Sequence, residues 1–326
     1  LSDPTTPSAT PAFLNHDRPP VPDIVVPRGV QPFHLHLKPV RGRLVRLGPL
    51  ADALIARHAD QHPAVLTLMG ESLALTAALA AALKFRGSFS MQAKGDGAVP
   101  MLLADCTDGG ALRGYAKADP DRMARLLTGD PDPGAAALLG KGYLAFTCDQ
   151  GPEMDRYQGI VAIEGLTLAA MTDSYFRTSE QIGSQVHLAC ARTDDGWRAS
   201  ALVIERVAGA GGVDPQSDED AQEDAWRTAT VLAGTITQAE LLDDDLPAER
   251  LLHRLFHAEG LELDRPRALS YGCRCSRARL AGVLEGFPPD DLDHMAIGGA
   301  ITMTCEFCNL DFRFDRDEVD GKAGRA

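Results

Sequence analysis

At 326 residues the chain is long enough for two domains, and 44% hydrophobic content can fill at least one sizeable core. A formal charge of −14 and a pI near 5.0 argue against a nucleic-acid partner, because neutralising phosphates takes a basic face. Seven cysteines is an odd number and four of them have metal-ligand spacing, which speaks against a secreted disulfide framework and fits a reducing compartment.

Residues 1–32 hold eight prolines among Ser, Thr and Asp, a poor core and therefore a flexible or extended arm. No basic stretch followed by an apolar run marks a secretory signal. The most apolar stretch, 73–83, is 11 residues and alanine-rich, too short to span a bilayer, so it reads as a buried helix. The expectation is a soluble, cytoplasmic protein with no membrane partner.

From Phe33 the pattern becomes globular. Alternation over 33–37 and 42–47 predicts edge strands, with His34 and His36 on one solvated strand face rather than as metal ligands. Residues 50–59 and 63–85 read as helices; Pro63 suits a first turn, and the second helix is apolar on most sides, hence central. Short strands follow at 88–94, 99–105, 110–117, 143–149 and 156–163, with a hairpin turn at Gly95-Asp96-Gly97. A helix over 166–181 precedes an antiparallel pair, 184–193 and 197–207, joined at Asp194-Asp195-Gly196. Cys106, Cys148 and Cys190 fall in or beside strands and read as buried, inert thiols. No nucleophile elbow, Walker loop or catalytic triad signature appears, which favours a binding surface over a catalytic pocket.

Composition shifts at Gly209-Ala210-Gly211-Gly212. Residues 214–249 carry 11 acidic residues and one basic residue, Arg227, yet Ala225, Ala229, Leu232, Ile236, Ala239 and Leu242 recur at helical spacing. A second helix has Pro247 in its first turn, Leu251, Leu252, Leu255 and Phe256 as its core face, and Gly260 as C-cap. His253 and His257 lie one turn apart on it and read as a solvated face. A thin alanine stripe with mutually repelling acids needs something to dock on, and a modest loss of stabilisation would melt it.

Immediately beyond lie Cys273-Arg274-Cys275 and Cys305-Glu306-Phe307-Cys308, with 29 residues between Cys275 and Cys305. Four thiolates from two close pairs make the complete shell of a tetrahedral zinc ion. The same sulfurs can instead become two disulfides. Arg274, Arg277 and Arg279 stand beside the first pair in sequence, and guanidinium charge favours thiolate. Two other readings of these cysteines are a thiol-disulfide oxidoreductase using Cys305-X-X-Cys308 and a structural zinc ribbon for protein or nucleic-acid assembly. The first lacks a following sheet, and acidity opposes the nucleic-acid form of the second.

Taken together, these residues resemble the heat-shock protein 33 family, bacterial redox-regulated holdases also called 33 kDa chaperonins. The resemblance runs from about Phe33 to about Phe314. It is carried by Cys273-X-Cys275-Ser276-Arg277 with Cys305-X-X-Cys308, by Leu83-Lys84-Phe85-Arg86-Gly87 with Gln92 and Gly95-Asp96-Gly97, by Tyr157-Gln158-Gly159-Ile160-Val161, and by Tyr175 through Gln181. It implies an α+β fold: an N-terminal domain of antiparallel strands with packed helices, a helical linker lying on it, and a small C-terminal zinc domain. The expected bounds are 1–32 for the arm, 33–209 for the core, 210–270 for the linker, 271–316 for the zinc domain and 317–326 for a tail.

The resemblance further implies that Cys273, Cys275, Cys305 and Cys308 bind one Zn2+ in a reduced, inactive protein. On oxidation Cys273 would pair with Cys275 and Cys305 with Cys308, the metal would leave and the linker would unfold. The protein would then hold unfolding clients without ATP, as a homodimer that hands them to ATP-dependent foldases, with no enzymatic turnover. Two departures stand out: the proline-rich arm, and Ala199–Arg206 with Glu205, where the family has a glycine-rich strand.

Overall fold

A computed structural model describes residues 22–151, 157–207 and 219–319, so residues 1–21 of the expected arm and the junction at 209–212 lie outside the described residues. The described chain forms two compact units, divided in the sequence after Gly272. Its α+β class is as the sequence implies.

The first unit opens with β1 (Val25–Leu35) and β2 (Val40–Arg46), then α1 (Pro49–Ile55) and α2 (Pro63–Ala82). Strand β1 therefore starts inside the stretch expected to be an arm. Its Pro32 has no N–H to give, but its carbonyl accepts from Asp264, so the strand loses nothing there. β3 (Ser88–Gly95), β4 (Met101–Thr107) and β5 (Ala111–Lys117) follow, then two helices not foreseen from sequence, α3 (Pro120–Gly129) and α4 (Ala135–Leu139). β6 (Gly142–Asp149) and β7 (Tyr157–Ala162) lead to α5 (Leu168–Tyr175), which continues as a π-helical turn to Glu180. β8 (Ser184–Thr193) and β9 (Gly196–Arg206) form the expected hairpin.

Helix α2 is long and apolar enough to cross a membrane by composition, yet 83% of that stretch is buried in the fold. It is a core helix. Its Leu73, Leu75 and Ala78 sit in one cluster with Val45 of β2, Leu47 just after it, Met91 of β3, Leu102 of β4 and Ala201 and Val203 of β9. Side chains alternate across a strand, so Leu202 and Ile204 must face the other way. There they join Phe33, Leu35 and Leu44 in a second cluster.

That second face is covered by the acidic segment. It folds as α6 (Glu219–Ala233), α7 (Gln238–Leu242) and α8 (Ala248–Phe256), then as β10 (Leu261–Leu263) and β11 (Arg267–Tyr271). The single helix expected over 225–242 is broken after Ala233, and Thr237 starts a new one with a capping box to Glu240. Helical character also ends near Glu259, so the linker is not helical throughout. Its apolar face is broader than an alanine stripe: Ala229, Ala233, Leu241, Leu251, Leu252, Leu255 and Phe256 are all buried on the sheet. Phe256 stacks on Phe33 with ring centroids 5.3 Å apart.

The acidic side chains find cations on the strands beneath and, at Lys38, in the turn between β1 and β2. Glu223 pairs with Arg206, Asp244 with Arg198, Glu249 with Arg28 and Glu259 with Lys38. Arg46 donates to the carbonyls of Glu240 and Leu246. Such contacts cannot be seen along the chain, because each joins positions far apart in sequence.

Glu205, the departure noted on β9, is buried against Arg43 and Arg41 of β2. Burial alone would push its carboxyl up; the two guanidiniums win and hold it below the usual carboxylate range.

The ten strands on the main path of the sheet run β7-β6-β3-β4-β5-β11-β1-β2-β9-β8, with β10 attached to β1. Strand β11 thus stands between two half-sheets, antiparallel to β1 and parallel to β5.

The second unit is small: α9 (Arg277–Leu284), α10 (Pro289–Met295) and the hairpin of β12 (Ala300–Thr304) and β13 (Asp311–Asp315). A 3-10 turn over Arg316–Glu318 follows, and Glu318 of the expected tail pairs with Arg277.

Candidate metal centre

Each half of the site is made by a local backbone device. On the first half, Cys273 and Cys275 occupy the stretch outside regular structure before Ser276, whose side chain caps α9 by accepting from Arg279 N. On the second, Cys305 and Cys308 sit in the turn that joins β12 to β13. Cys305 N donates to the Leu310 carbonyl at 2.9 Å, while Cys308 N and Asn309 N both donate to the Cys305 carbonyl. Asn309 takes the left-handed conformation the turn requires (φ 51°), a conformation that asparagine tolerates better than most residues. The turn folds back so that both cysteine side chains point one way.

The result is a tight cluster. All four Sγ atoms lie within 4.8 Å of one another, and Cys273, Cys305 and Cys308 are buried while Cys275 is half-buried. Sulfur–sulfur distances are 3.5 Å for Cys273–Cys275, 3.7 Å for Cys273–Cys305 and 3.4 Å for Cys275–Cys308. A tetrahedron of four sulfurs around zinc, at about 2.3 Å each, has edges of roughly 3.8 Å, whereas a disulfide brings sulfurs to about 2.0 Å. The four are free thiols at metal-shell spacing. An all-sulfur set of this kind suits a soft or borderline ion such as zinc and is wrong for calcium or magnesium. The residues fit the implied group.

Charge is distributed unevenly in the cluster. The sulfur contact with Cys275 is the first cause that holds Cys273 down at about 7, and the contact with Cys273 lowers Cys305 further. Cys275 and Cys308 are pushed up by the same contacts, since each then faces a sulfur that already carries charge. The lowering thus begins with neighbouring sulfurs. Two of the three arginines expected to supply it are engaged elsewhere: Arg277 lies 4.5 Å over the Phe314 ring and pairs with Glu318, and Arg279 donates to the Arg274 carbonyl.

Cys275 lies about equally close to Cys273 and to Cys308, so spacing does not single out one disulfide pairing. The remaining cysteines are apart from the site. Cys106, Cys148 and Cys190 are buried, and burial pushes the Cys148 and Cys190 thiols up. His34 and His36 contact Glu262 of β10 at 2.9 and 2.8 Å, and His253 and His257 stack on each other on the exposed face of α8. Among the described residues the four cysteines are the group of three or more such side chains placed to hold one ion.

Sequence reasoning missed β11, which ends two residues before Cys273, and the strand cations under the linker. An excess of Arg on β-strands of an acidic chain was the available signal for the second.

A family model described as "Hsp33 protein" matches residues 29–315. The 33 kDa chaperonin of Caulobacter vibrioides is 40% identical over 291 residues, covering 88% of this chain and 94% of that protein. That of Pseudomonas fluorescens is 36% identical over 281 residues, covering 86% and 88%. The crystal structure of a 33 kDa chaperonin from Thermotoga maritima superposes with a TM-score of 0.72 at 19% identity, covering 90% of this chain and 96% of that one, a likeness of fold.

Proposed function

The chain belongs to the Hsp33 protein family, chaperones without enzymatic turnover, and on that premise we propose that it is an ATP-independent holdase switched on by oxidation of Cys273, Cys275, Cys305 and Cys308. The observation that carries this reading is the placement of four clustered thiols directly after a linker that is docked, not embedded, on the core.

In the reduced protein the four sulfurs hold one Zn2+, which supplies the charge that keeps them thiolate and the cross-link that joins 273–275 to 305–308. Each disulfide forms from two thiolates with loss of two electrons, and one peroxide takes those electrons together with two protons from solvent to become two waters. Cysteine sulfurs tied up as disulfides no longer bind metal as thiolates. By the family resemblance Cys273 pairs with Cys275 and Cys305 with Cys308. Among the described residues the unit then keeps Leu284, Leu292, Ile301, Phe312, Phe314 and Val319 as buried apolar side chains besides Ala300. That is too little for a small domain to stay folded unaided.

With its anchor gone, the linker leaves the sheet and uncovers Phe33, Leu35, Leu44, Leu202 and Ile204. An apolar face of that kind binds unfolding client proteins. Homodimerisation on activation, hand-over to ATP-dependent foldases and a cytoplasmic location complete the reading.

The oxidoreductase alternative loses ground on one observation. Cys305 and Cys308 lie in a β-hairpin turn, not at the start of a helix whose dipole would stabilise an attacking thiolate. An insulin-reduction assay is expected to show no turnover.

The holdase test is light scattering of a denaturing client, at equal chaperone concentration, before and after peroxide treatment with mild warming. Suppression by the oxidised form alone is expected. Equal suppression in both states would reject redox control.

A further inference from the structure

Strand β11 is the strand that joins the two half-sheets, and it leads without a break into the first cysteine pair. Its hold is short. It meets β1 at Val25↔Ser270, Val26↔Leu269 and Val30↔Arg267 with a register shift between them, and β5 only at Ser270↔Ala111 and Tyr271↔Leu112. Its N–H groups alternate between the two sides: Ser270 and Gly272 donate to the carbonyls of Gly110 and Leu112, Tyr271 to that of Ile24.

One side chain of β11 is fully buried, Leu269, 2% exposed. It lies over Gly29 of β1, where a Cβ would stand 2.8 Å from Leu269 Cγ, so β1 is shaped to receive that side chain. Beside it lies an open groove of about 1240 Å³, with Val30, Ala80, Phe85, Cys106, Gly110 and Leu269 among its walls.

We infer that β11 is a removable strand, and that the slot it vacates between β1 and β5 takes an extended, apolar segment of a client by strand addition. This rests on the oxidation-driven holdase reading and specifies the surface it uses. When β11 leaves, β1 remains paired to β2, and β5 to β4, so two ordered edges face one gap. Edges of this kind are templates for any chain with free backbone groups. Main-chain hydrogen bonds supply affinity without regard to sequence, and the Gly29 pocket favours an aliphatic side chain where Leu269 stood. The preferred occupant is therefore an unfolded segment with one medium aliphatic residue flanked by small ones, the pattern of Ala268-Leu269-Ser270.

The probe is a fluorescein-labelled peptide of residues 265–272, titrated into the full chain and read by anisotropy, with a Leu269→Asp peptide as control. Saturable binding to the oxidised chain, at least tenfold weaker binding to the reduced chain, at least tenfold weaker binding of the Asp peptide, and loss of client suppression at saturating peptide are expected. A second readout places a photoreactive diazirine side chain at Val26 or, separately, at Tyr157 on the outer strand β7. Client cross-linking from Val26 only, and only after oxidation, is expected.

Peptide that binds both redox states alike, or client cross-linking that is equal at the two positions, would overturn the slot. So would client suppression that saturating peptide leaves intact, and that result would spare the chaperone reading. An oxidised chain that suppresses no aggregation even without peptide would instead overturn the chaperone reading itself.

Discussion

Around α2 the first unit buries Met69, Leu73, Leu75 and Leu79 against strands from both half-sheets, in a core that also takes in Phe89, Phe146 and Trp197. Between Cys273 and Val319 the buried side chains are few, and Cys273, Cys305 and Cys308 are three of them. One region is ordered by removing apolar surface from water, a stabilisation spread over many contacts that no single chemical event can cancel. The other, on the proposed reading, concentrates its order in four atoms. Ligation can be undone by an oxidant, and burial cannot. The linker stands between the two regimes, apolar enough to dock and too thin to be independent of its anchor.

The largest effect expected is from removing one ligand. Structural zinc contributes about 10–16 kcal/mol to small domains that depend on it. Cys305→Ser should therefore abolish hydrogen-exchange protection over 273–319 while leaving α2 amides as protected as before. Loss of protection in both units would break the contrast.

Next is the linker. Phe256→Ala removes the ring stacked on Phe33, at a cost of about 3–5 kcal/mol. Exchange is expected to rise over 219–260 without a lower Tm for the core, and the reduced variant should suppress aggregation without peroxide. Leu73→Ala, costing about 2–5 kcal/mol, should lower the core Tm instead. The two substitutions are comparable in size and should have opposite addresses.

Glu71 sharpens the same boundary. It lines a small cavity roofed by Ile236, Gln238 and Leu241 of the linker, and burial raises its carboxyl to about 7. His187, in the same cavity, is pushed down by burial. A carboxyl with a raised folded pKa binds more protons folded than unfolded, so stability is lost as pH rises from about 4.5 to about 7 and is level above. Glu71→Gln should remove that slope and stabilise the docked linker by up to about 3 kcal/mol at pH 8, measured by urea midpoints across pH 4 to 8.

The smallest effect is at the surface. Arg206 and Glu223 form an exposed pair, so Glu223→Gln should cost under about 1 kcal/mol and show even less at high salt. A larger loss would mean that charge, and not Phe256 and its neighbours, holds the linker down.

Features carried by neighbouring residues were legible in the chain. Cys273-X-Cys275 and Cys305-X-X-Cys308 announce their chemistry by spacing, the alternation over 33–37 and 42–47 announces strands, and the all-round apolarity of α2 announces its burial. What joins distant positions was not. Arg198 and Arg206 read as ordinary strand residues until Asp244 and Glu223 lie over them. Glu205 looked like a departure and proved to be half of a buried ion-pair cluster. Strand β11 shows no period of two in Arg-Ala-Leu-Ser-Tyr, because it is fixed by the gap it fills and not by its own pattern.

The most direct test is metal content measured beside thiol count and C-terminal order on the same sample. Reduced protein should carry one zinc per chain with residues 273–319 protected from exchange; after peroxide it should carry none, with four fewer reactive thiols and that stretch unprotected. Reduced protein free of metal and still ordered over 273–319 would contradict a fold held by four sulfurs.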